Sequence, residues 1–204
     1  MAGPEFKQKV AIVTGAGQGI GLEIARQLAE KSACVLLNDA DESLAKKASR
    51  KIVDEQGICI PLAGDISDVA FNQLMVTEAV KNFGRLDIVI ANAGITLYGN
   101  FLEYPEADFY KVMKVNLGGS FFLAQAAAKQ MKKQGDGGRI LFTSSVTGHQ
   151  AHKDLAAYGM SKAGIEMLGR MLVVELSQYK ITVNAIAPGA TLTERTTSDA
   201  DYEN

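Results

Sequence analysis

Val10-Ala11-Ile12-Val13-Thr14-Gly15-Ala16-Gly17-Gln18-Gly19-Ile20-Gly21 is the stretch whose reading decides the fold. Its first four residues are apolar and mostly β-branched, which predicts a short buried strand. A glycine-rich turn follows at once, and then an amphipathic run, Leu22 to Glu30, that predicts a helix. Strand, glycine turn and helix in that order are what a dinucleotide-binding turn requires. Ile20 stands where the last glycine of G-x-G-x-x-G would fall, so the pattern is Gly15-x-x-x-Gly19-x-Gly21. Those glycines allow a tight turn and let backbone N–H groups approach a pyrophosphate at a helix N-terminus.

The same alternation continues downstream. Val35 to Asn38 predicts a second strand, with Asp39 at its end, eighteen positions after Gly21. A carboxylate there suits the two hydroxyls of an adenosine ribose and repels a 2′-phosphate. Ala40 brings no cation and Gln18 is uncharged, so NAD is expected rather than NADP. Asp39 and Asp41 both remain candidates to cap the next helix, Ser43 to Gln56. Ile58 to Leu62 predicts a third strand, after which Asp65, beside Ile66, stands where an adenine amino group is read, and Asp68 caps a helix to Phe83. Asp87 to Ala91 predicts a continuously apolar fourth strand, as in a parallel sheet covered on both faces, leading into Asn92-Ala93-Gly94. The result is an α/β fold: a doubly wound parallel sheet (Rossmann fold) with right-handed crossovers.

The second half carries the reactive groups. Arg139 to Ser144 predicts a strand closed by Ser145, and Ala156 to Met171 a helix. Tyr158 and Lys162 then share one helix face at i and i+4. A phenol moves protons poorly near neutrality unless a positive charge favours its phenolate, and an ammonium one turn away does so. Ser145, at the carboxyl end of a strand, faces the crevice where open α/β sheets bind ligands. Tyr158 as acid/base, Lys162 as its tuner and Ser145 as carbonyl anchor make a site for proton transfer at an alcohol oxygen. Pro105 to Gln134 reads as one long helix interrupted by Asn116-Leu117-Gly118-Gly119, a kink that frees a backbone group and lets Asn116 hold a water. Thr182 to Ala187 predicts a sixth strand ending at Pro188-Gly189, and Thr191 to Asn204 a mobile polar tail.

Composition narrows the classes. A chain of 204 residues with net charge −2 is sized for one domain and shows no bias towards nucleic acid or anionic membranes. No apolar run reaches the ~18 residues of a membrane-spanning helix. Met1 to Phe6 reads as a cloning scar or ragged arm outside the fold. Cys34 and Cys59 read as two buried free thiols, which suits a cytoplasmic protein. His149 and His152 form no metal site by themselves, and none is expected. The Tyr158 helix carries Ile165, Leu168, Leu172 and Leu176 on one side and Met167, Met171 and Val174 on another. Apolar residues on two sides predict a subunit interface.

Taken in order, Thr14-Gly15-x-x-x-Gly19-x-Gly21, Asp39, Asp65, Asn92-Ala93-Gly94, Asn116, Ser145, Tyr158-x-x-x-Lys162 and Pro188-Gly189 resemble the short-chain dehydrogenase/reductase family, from about Lys7 to Thr193. The resemblance implies an NAD-dependent oxidoreductase that interconverts a secondary alcohol and a ketone. It also implies catalytic Asn116, Ser145, Tyr158 and Lys162. Cofactor contacts would come from Gly15, Gln18, Gly19, Ile20, Gly21, Asp39, Asp65, Ile66, Asn92, Ala93, Gly94, Tyr158, Lys162, Pro188, Gly189, Thr191 and Thr193. The domain would span residues 7–190, with 191–204 beginning a substrate lid. Family members of this type continue through a further helix pair and a seventh strand, so this chain reads as lacking a C-terminal end, and an inactive fragment is one alternative. A homo-oligomer, dimer or tetramer, would form through the Asn116 and Tyr158 helices. Sugar oxidation of the glucose-dehydrogenase kind is the first substrate class. A 3-oxoacyl-thioester reductase and a non-catalytic NAD-binding protein are the others.

Overall fold

The structure, a computed structural model, describes residues 5–194. Six parallel strands form one sheet in the order β3-β2-β1-β4-β5-β6. They are β1 (Val10–Val13), β2 (Cys34–Asp39), β3 (Ile58–Ala63), β4 (Ile88–Ala91), β5 (Gly138–Thr143) and β6 (Ile181–Ile186). The helices α1 (Gly19–Glu30), α2 (Glu42–Asp54), α3 (Val69–Phe83), α4 (Glu106–Val112), α5 (Ser120–Gln134) and α6 (Ala156–Leu176) cover both faces. The order reverses beside β1, whose neighbours are β2 and β4. Open parallel sheets hold ligands outside the strand ends at such a reversal.

Strand residues alternate between two cores because successive side chains point to opposite faces. Val10 and Ile12 join Met75 of α3, Leu123 and Met131 of α5 and Ile165 of α6. Ala11 and Val13 join Ala25 of α1 and Ala48 and Ile52 of α2. The α1–α2 side is built largely of alanines, which lets those helices lie close to the sheet. Phe6 packs against this second core, its N–H donates to the Lys31 carbonyl, and Glu5 pairs with Lys31 at 2.8 Å. Of the arm expected to stand outside the fold, Glu5 and Phe6 thus touch it. Residues 1–4 of that arm, and 195–204 of the expected mobile tail, lie outside the described residues.

Helix ends follow local chemistry. Asp41, not Asp39, caps α2 by accepting from Ser43 N–H and Leu44 N–H, and Asp68 caps α3 by accepting from Ala70 N–H. Gly84 and Gly135 end α3 and α5 in the left-handed conformation. Helix α1 begins at Gly19, inside the glycine run rather than after it. The expected long helix is α4, a seven-residue π-helical turn over Met113–Gly119, and α5. The interruption at Asn116 is therefore a widening of the helix, not a break. Under the sheet, Asp87 accepts from Val10 N–H at 3.0 Å and from Arg85 at 2.7 and 2.8 Å, and pairs with Lys9 at 3.2 Å.

Candidate active site

One cleft of about 520 Å³ lies along the carboxyl ends of the strands, and its lining contains every candidate residue except Asn116. Its first wall is the glycine turn. Gly15 and Gly19 have φ of +59° and +60°, which glycine adopts without strain. A Cβ on Gly15 would lie 2.7 Å from Ala93 Cα, and one on Gly21 would collide with the Gly15 carbonyl, so both must lack a side chain. Asn92 locks the turn by donating from Nδ2 to the Thr14 and Gly15 carbonyls, while Thr14 Oγ1 accepts from the N–H groups of Asn92 and Ala93.

No side chain caps α1 from Gln18, and its first turn holds no acidic residue. Instead Gly19 N–H donates to Glu194 Oε2 at 3.1 Å, and the Thr193 side chain comes within 3.5 Å of where a Gly19 Cβ would be. A carboxylate thus stands where a helix N-terminus attracts anions. Asp39 Oδ2 accepts from Gly17 N–H at 2.9 Å and Oδ1 from Asp41 N–H at 3.1 Å. A dinucleotide fits these features: a cradle without side chains, an anion-seeking helix end and a carboxylate at the end of β2. Asp65 spends its carboxylate on Ser67, accepting from its N–H and its hydroxyl at 2.8 Å each. Ile66 lines the cleft while packing against Gly119.

The second wall carries the reactive groups. Lys162 is only 4 % exposed; its ammonium donates to the Thr143 carbonyl at 2.7 Å and sits 5.6 Å from the Tyr158 ring centre. Burial and a fixed acceptor hold that charge beside the phenol. A Cβ on Gly94 would lie 3.4 Å from Lys162 Nζ and 3.2 Å from Asn116 Oδ1, so this glycine allows the close approach of three elements. Ser145, two positions past the end of β5, accepts from Thr147 N–H at 3.2 Å. Val146 N–H donates to the Pro188 carbonyl, which ties the Ser145 turn to Pro188-Gly189, and Thr191 Oγ1 donates to the Gly189 carbonyl.

Asn116 lies behind the cleft, fully buried. Its Oδ1 accepts from Ile95 N–H at 2.8 Å, and its Nδ2 donates to the Ile95 carbonyl and to Ser161 Oγ at 3.0 Å each. Both amide hydrogens are engaged within the protein, so the side chain positions the strand-end loop rather than offering a hydrogen to water. Ser161 passes the connection on by donating to the Tyr158 carbonyl at 2.7 Å. Sequence reasoning missed Ser161 and Thr143, although Ser161 adjoins Lys162 and Thr143 lies two positions before Ser145. It also missed Tyr98 and Lys111, which line the cleft from a loop and from α4 without any pattern to mark them.

Comparison with known proteins agrees with this layout. The short chain dehydrogenase family model matches residues 9–204. An uncharacterised oxidoreductase of Thermotoga maritima is 42% identical over 189 residues, which is 93% of this chain and 74% of that protein. Versicolorin reductase 1 of Aspergillus parasiticus is 39% identical over 194 residues, 91% of this chain and 71% of its own. A short-chain type dehydrogenase/reductase from Mycobacterium marinum superposes with TM-score 0.93 at 32% identity, covering 98% of this chain and 79% of that one. An NAD+-bound xylitol dehydrogenase does so with TM-score 0.87 at 34% identity, covering 91% and 71%. With its strand order, its glycine turn and a family match over nearly its whole length, this oxidoreductase belongs to the short-chain dehydrogenase family, whose members bind a nicotinamide cofactor.

Proposed function

We propose that this protein is an NAD-dependent oxidoreductase that interconverts a secondary alcohol and a ketone, with polyols and sugars as its substrate class. The observation that carries the reading is the Lys162 ammonium, buried and fixed by Thr143, 5.6 Å from the Tyr158 ring in the same cleft as the glycine turn. A nicotinamide dinucleotide bound along Gly15, Gly19, Asp39 and Asn92-Ala93-Gly94 supplies the hydride acceptor or donor. Tyr158 takes the proton from the alcohol oxygen during oxidation and returns it during reduction. Lys162, held by the Thr143 carbonyl, fixes its ammonium beside the Tyr158 ring. Ser145 donates its hydroxyl hydrogen to the substrate oxygen and so fixes its distance from Tyr158. Asn116 holds Ile95 and, through Ser161, the first turn of α6.

Asp39 supports NAD over NADP, because a carboxylate fastened to Gly17 N–H repels a 2′-phosphate. The NAD+-bound xylitol dehydrogenase supports the cofactor and the polyol class, whereas the versicolorin reductase relative favours the reductive direction. The test is to follow reduced-cofactor absorbance with polyols, sugars, ring ketones and oxo-thioesters, offering NAD and NADP in parallel. Turnover of polyols with NAD supports the reading. Turnover with NADP alone defeats the Asp39 argument and moves the assignment to a ketone or oxoacyl reductase. Binding of NADH without turnover of any substrate leaves a non-catalytic nucleotide-binding protein.

We also propose a homo-oligomer. Met167, Met171 and Val174 are more than half exposed on α6, while Ile165, Leu168 and Leu172 of the same helix pack inward. Tyr110, Met113, Leu117, Phe121 and Phe122 line a second, apolar groove on the Asn116 helix. Among the described residues no helix is long and apolar enough to cross a membrane, and Cys34 and Cys59 are free thiols. The thiols favour a cytoplasmic location, which fractionation of cells with an antibody to the protein tests.

A further inference from the structure

One carboxylate near the cleft has no part in the reaction above. Glu166 lies one turn beyond Lys162 on α6, and its side chain is 16% exposed. Its Oε1 accepts from Ser144 Oγ at 2.8 Å and meets His149 Nδ1 at 3.0 Å. An ionised carboxylate only accepts, so Nδ1 carries the hydrogen. Ser144 and His149 stand at the two ends of the turn that holds Ser145, whose middle is the 3₁₀ segment Val146–Gly148. A single oxygen on α6 therefore closes that turn from both sides.

Two further details fit a clamp rather than an ordinary surface ion pair. The Ser144 hydroxyl also lies 3.1 Å from the carbonyl of Lys162, so the same junction touches the helix beside the ammonium-bearing residue. Gly148 sits against the junction: a Cβ there would lie 2.9 Å from Glu166 Oε1 and 3.1 Å from Ser144 Oγ. Its backbone conformation is ordinary, so glycine serves close approach alone.

We infer that Glu166 is a positioning residue that sets the spacing between Ser145 and Tyr158 by clamping the Ser145 turn, through Ser144 and His149, onto the helix that carries Tyr158 and Lys162. The inference rests on the proposed role of Ser145 as the substrate-oxygen anchor. Removing the clamp leaves each reactive group in place and loosens the distance between them. Misplacement of that kind lowers turnover far more than it lowers cofactor affinity, because the glycine turn and Asp39 belong to other elements.

The test compares Glu166→Ala, Glu166→Gln and His149→Ala with the unaltered protein by steady-state kinetics, NADH titration and amide hydrogen exchange. In Glu166→Ala, exchange at Thr147, Gly148 and His149 quickens. In the same variant kcat/KM for the alcohol falls between about tenfold and a hundredfold, while NADH affinity stays within about twofold. Glu166→Gln keeps an acceptor oxygen and recovers most of the loss, and His149→Ala gives a smaller loss than Glu166→Ala. Quickened exchange without a kinetic loss, or a kinetic loss without quickened exchange, overturns the inference. So does equal weakening of turnover, NADH binding and melting temperature with no recovery in Glu166→Gln, the result of a merely structural role. Exchange needs no substrate, so if the unaltered protein turns over nothing, the proposed reaction fails while unchanged exchange in Glu166→Ala still overturns the clamp and quickened exchange reversed by Gln upholds it.

Discussion

Asp39 and Gly17 are joined by a 2.9 Å hydrogen bond from the glycine N–H to the carboxylate, which fixes a negative charge against the turn where α1 begins. Gly17 N–H and Asp41 N–H meet different oxygens of Asp39, so replacing Asp39 by Asn keeps an acceptor for one of them and removes the charge. Asp39→Asn is expected to raise kcat/KM for NADP about tenfold relative to that for NAD, the size of one lost charge repulsion of ~1.4 kcal/mol. An unchanged ratio would show that Asp39 does not select the cofactor.

Glu194 and a pyrophosphate would claim the same Gly19 N–H. Glu194→Gln removes a negative charge from the helix end, and NADH should then bind about threefold more tightly, as measured by fluorescence titration. The gain should shrink as salt screens the charge. Weaker binding would instead mean that Glu194 helps to hold the cofactor.

Tyr158→Phe keeps the ring and its 5.6 Å relation to Lys162 while deleting the proton-bearing oxygen. Turnover should fall at least about a hundredfold, within the range seen for loss of a general acid or base. The dissociation constant for NADH should change far less, because the glycine turn and Asp39 also hold the cofactor. Residual activity near that of the unaltered protein would remove Tyr158 from the reaction.

Acid sensitivity should trace to Asp87 at the opposite end of the sheet. Desolvation pushes its carboxyl up, but hydrogen bonds from Arg85, Val10 N–H and Lys9 and the Arg85 charge outweigh that, so it sits below its ordinary value. A carboxyl depressed in the folded state adds stability that is full above its unfolded value of ~3.9 and is lost as pH falls through the folded one. Asp87→Asn should flatten the fall in melting temperature below about pH 4. At neutral pH, Asp87→Ala should cost about 2–3 kcal/mol, because Val10 N–H and two cations lose their acceptor. Identical acid unfolding of Asp87→Asn and the unaltered protein would exclude this account.

Val174 is 78 % exposed and stands with Met167 and Met171 on the outer face of α6. A Val174→Lys, Met171→Glu double variant should sediment as a monomer with its fold intact by circular dichroism. A species of unchanged size would place any subunit contact elsewhere.

Much of this layout is legible before any coordinates. The glycine turn announces itself because strand, turn and helix are all local, and Tyr158 and Lys162 pair because helical spacing alone joins them. What the sequence hides is what depends on distant partners. Asn116 is visible as an interruption, but its bond to Ile95 spans twenty-one positions and the π-helical form has no signature in Asn-Leu-Gly-Gly. Glu166 reads as one more charge on a helix, since Ser144 and His149 lie twenty-two and seventeen positions away. Phe6 is a single aromatic without periodicity, and only its packing against the second core ties it to the fold. Asp65 could be placed near the adenine by position, yet its carboxylate turns to Ser67 two residues on.

The wide turn at Met113–Gly119 makes length itself a heritable property of this stretch. Each residue advances an α-helix by about 100°. A π-helical turn winds each residue through less than that, so Met113–Gly119 takes in one extra residue while α4 and α5 stay nearly in phase. Regular winding with every residue kept would rotate α5 against α4 by about 100°, and either Asn116 would leave Ile95 or Leu123, Ala124, Ala127 and Met131 would swing out of the core. Losing one residue here would restore a regular helix in phase and remove the wide turn that carries Asn116, whereas gaining one would dephase a whole helix.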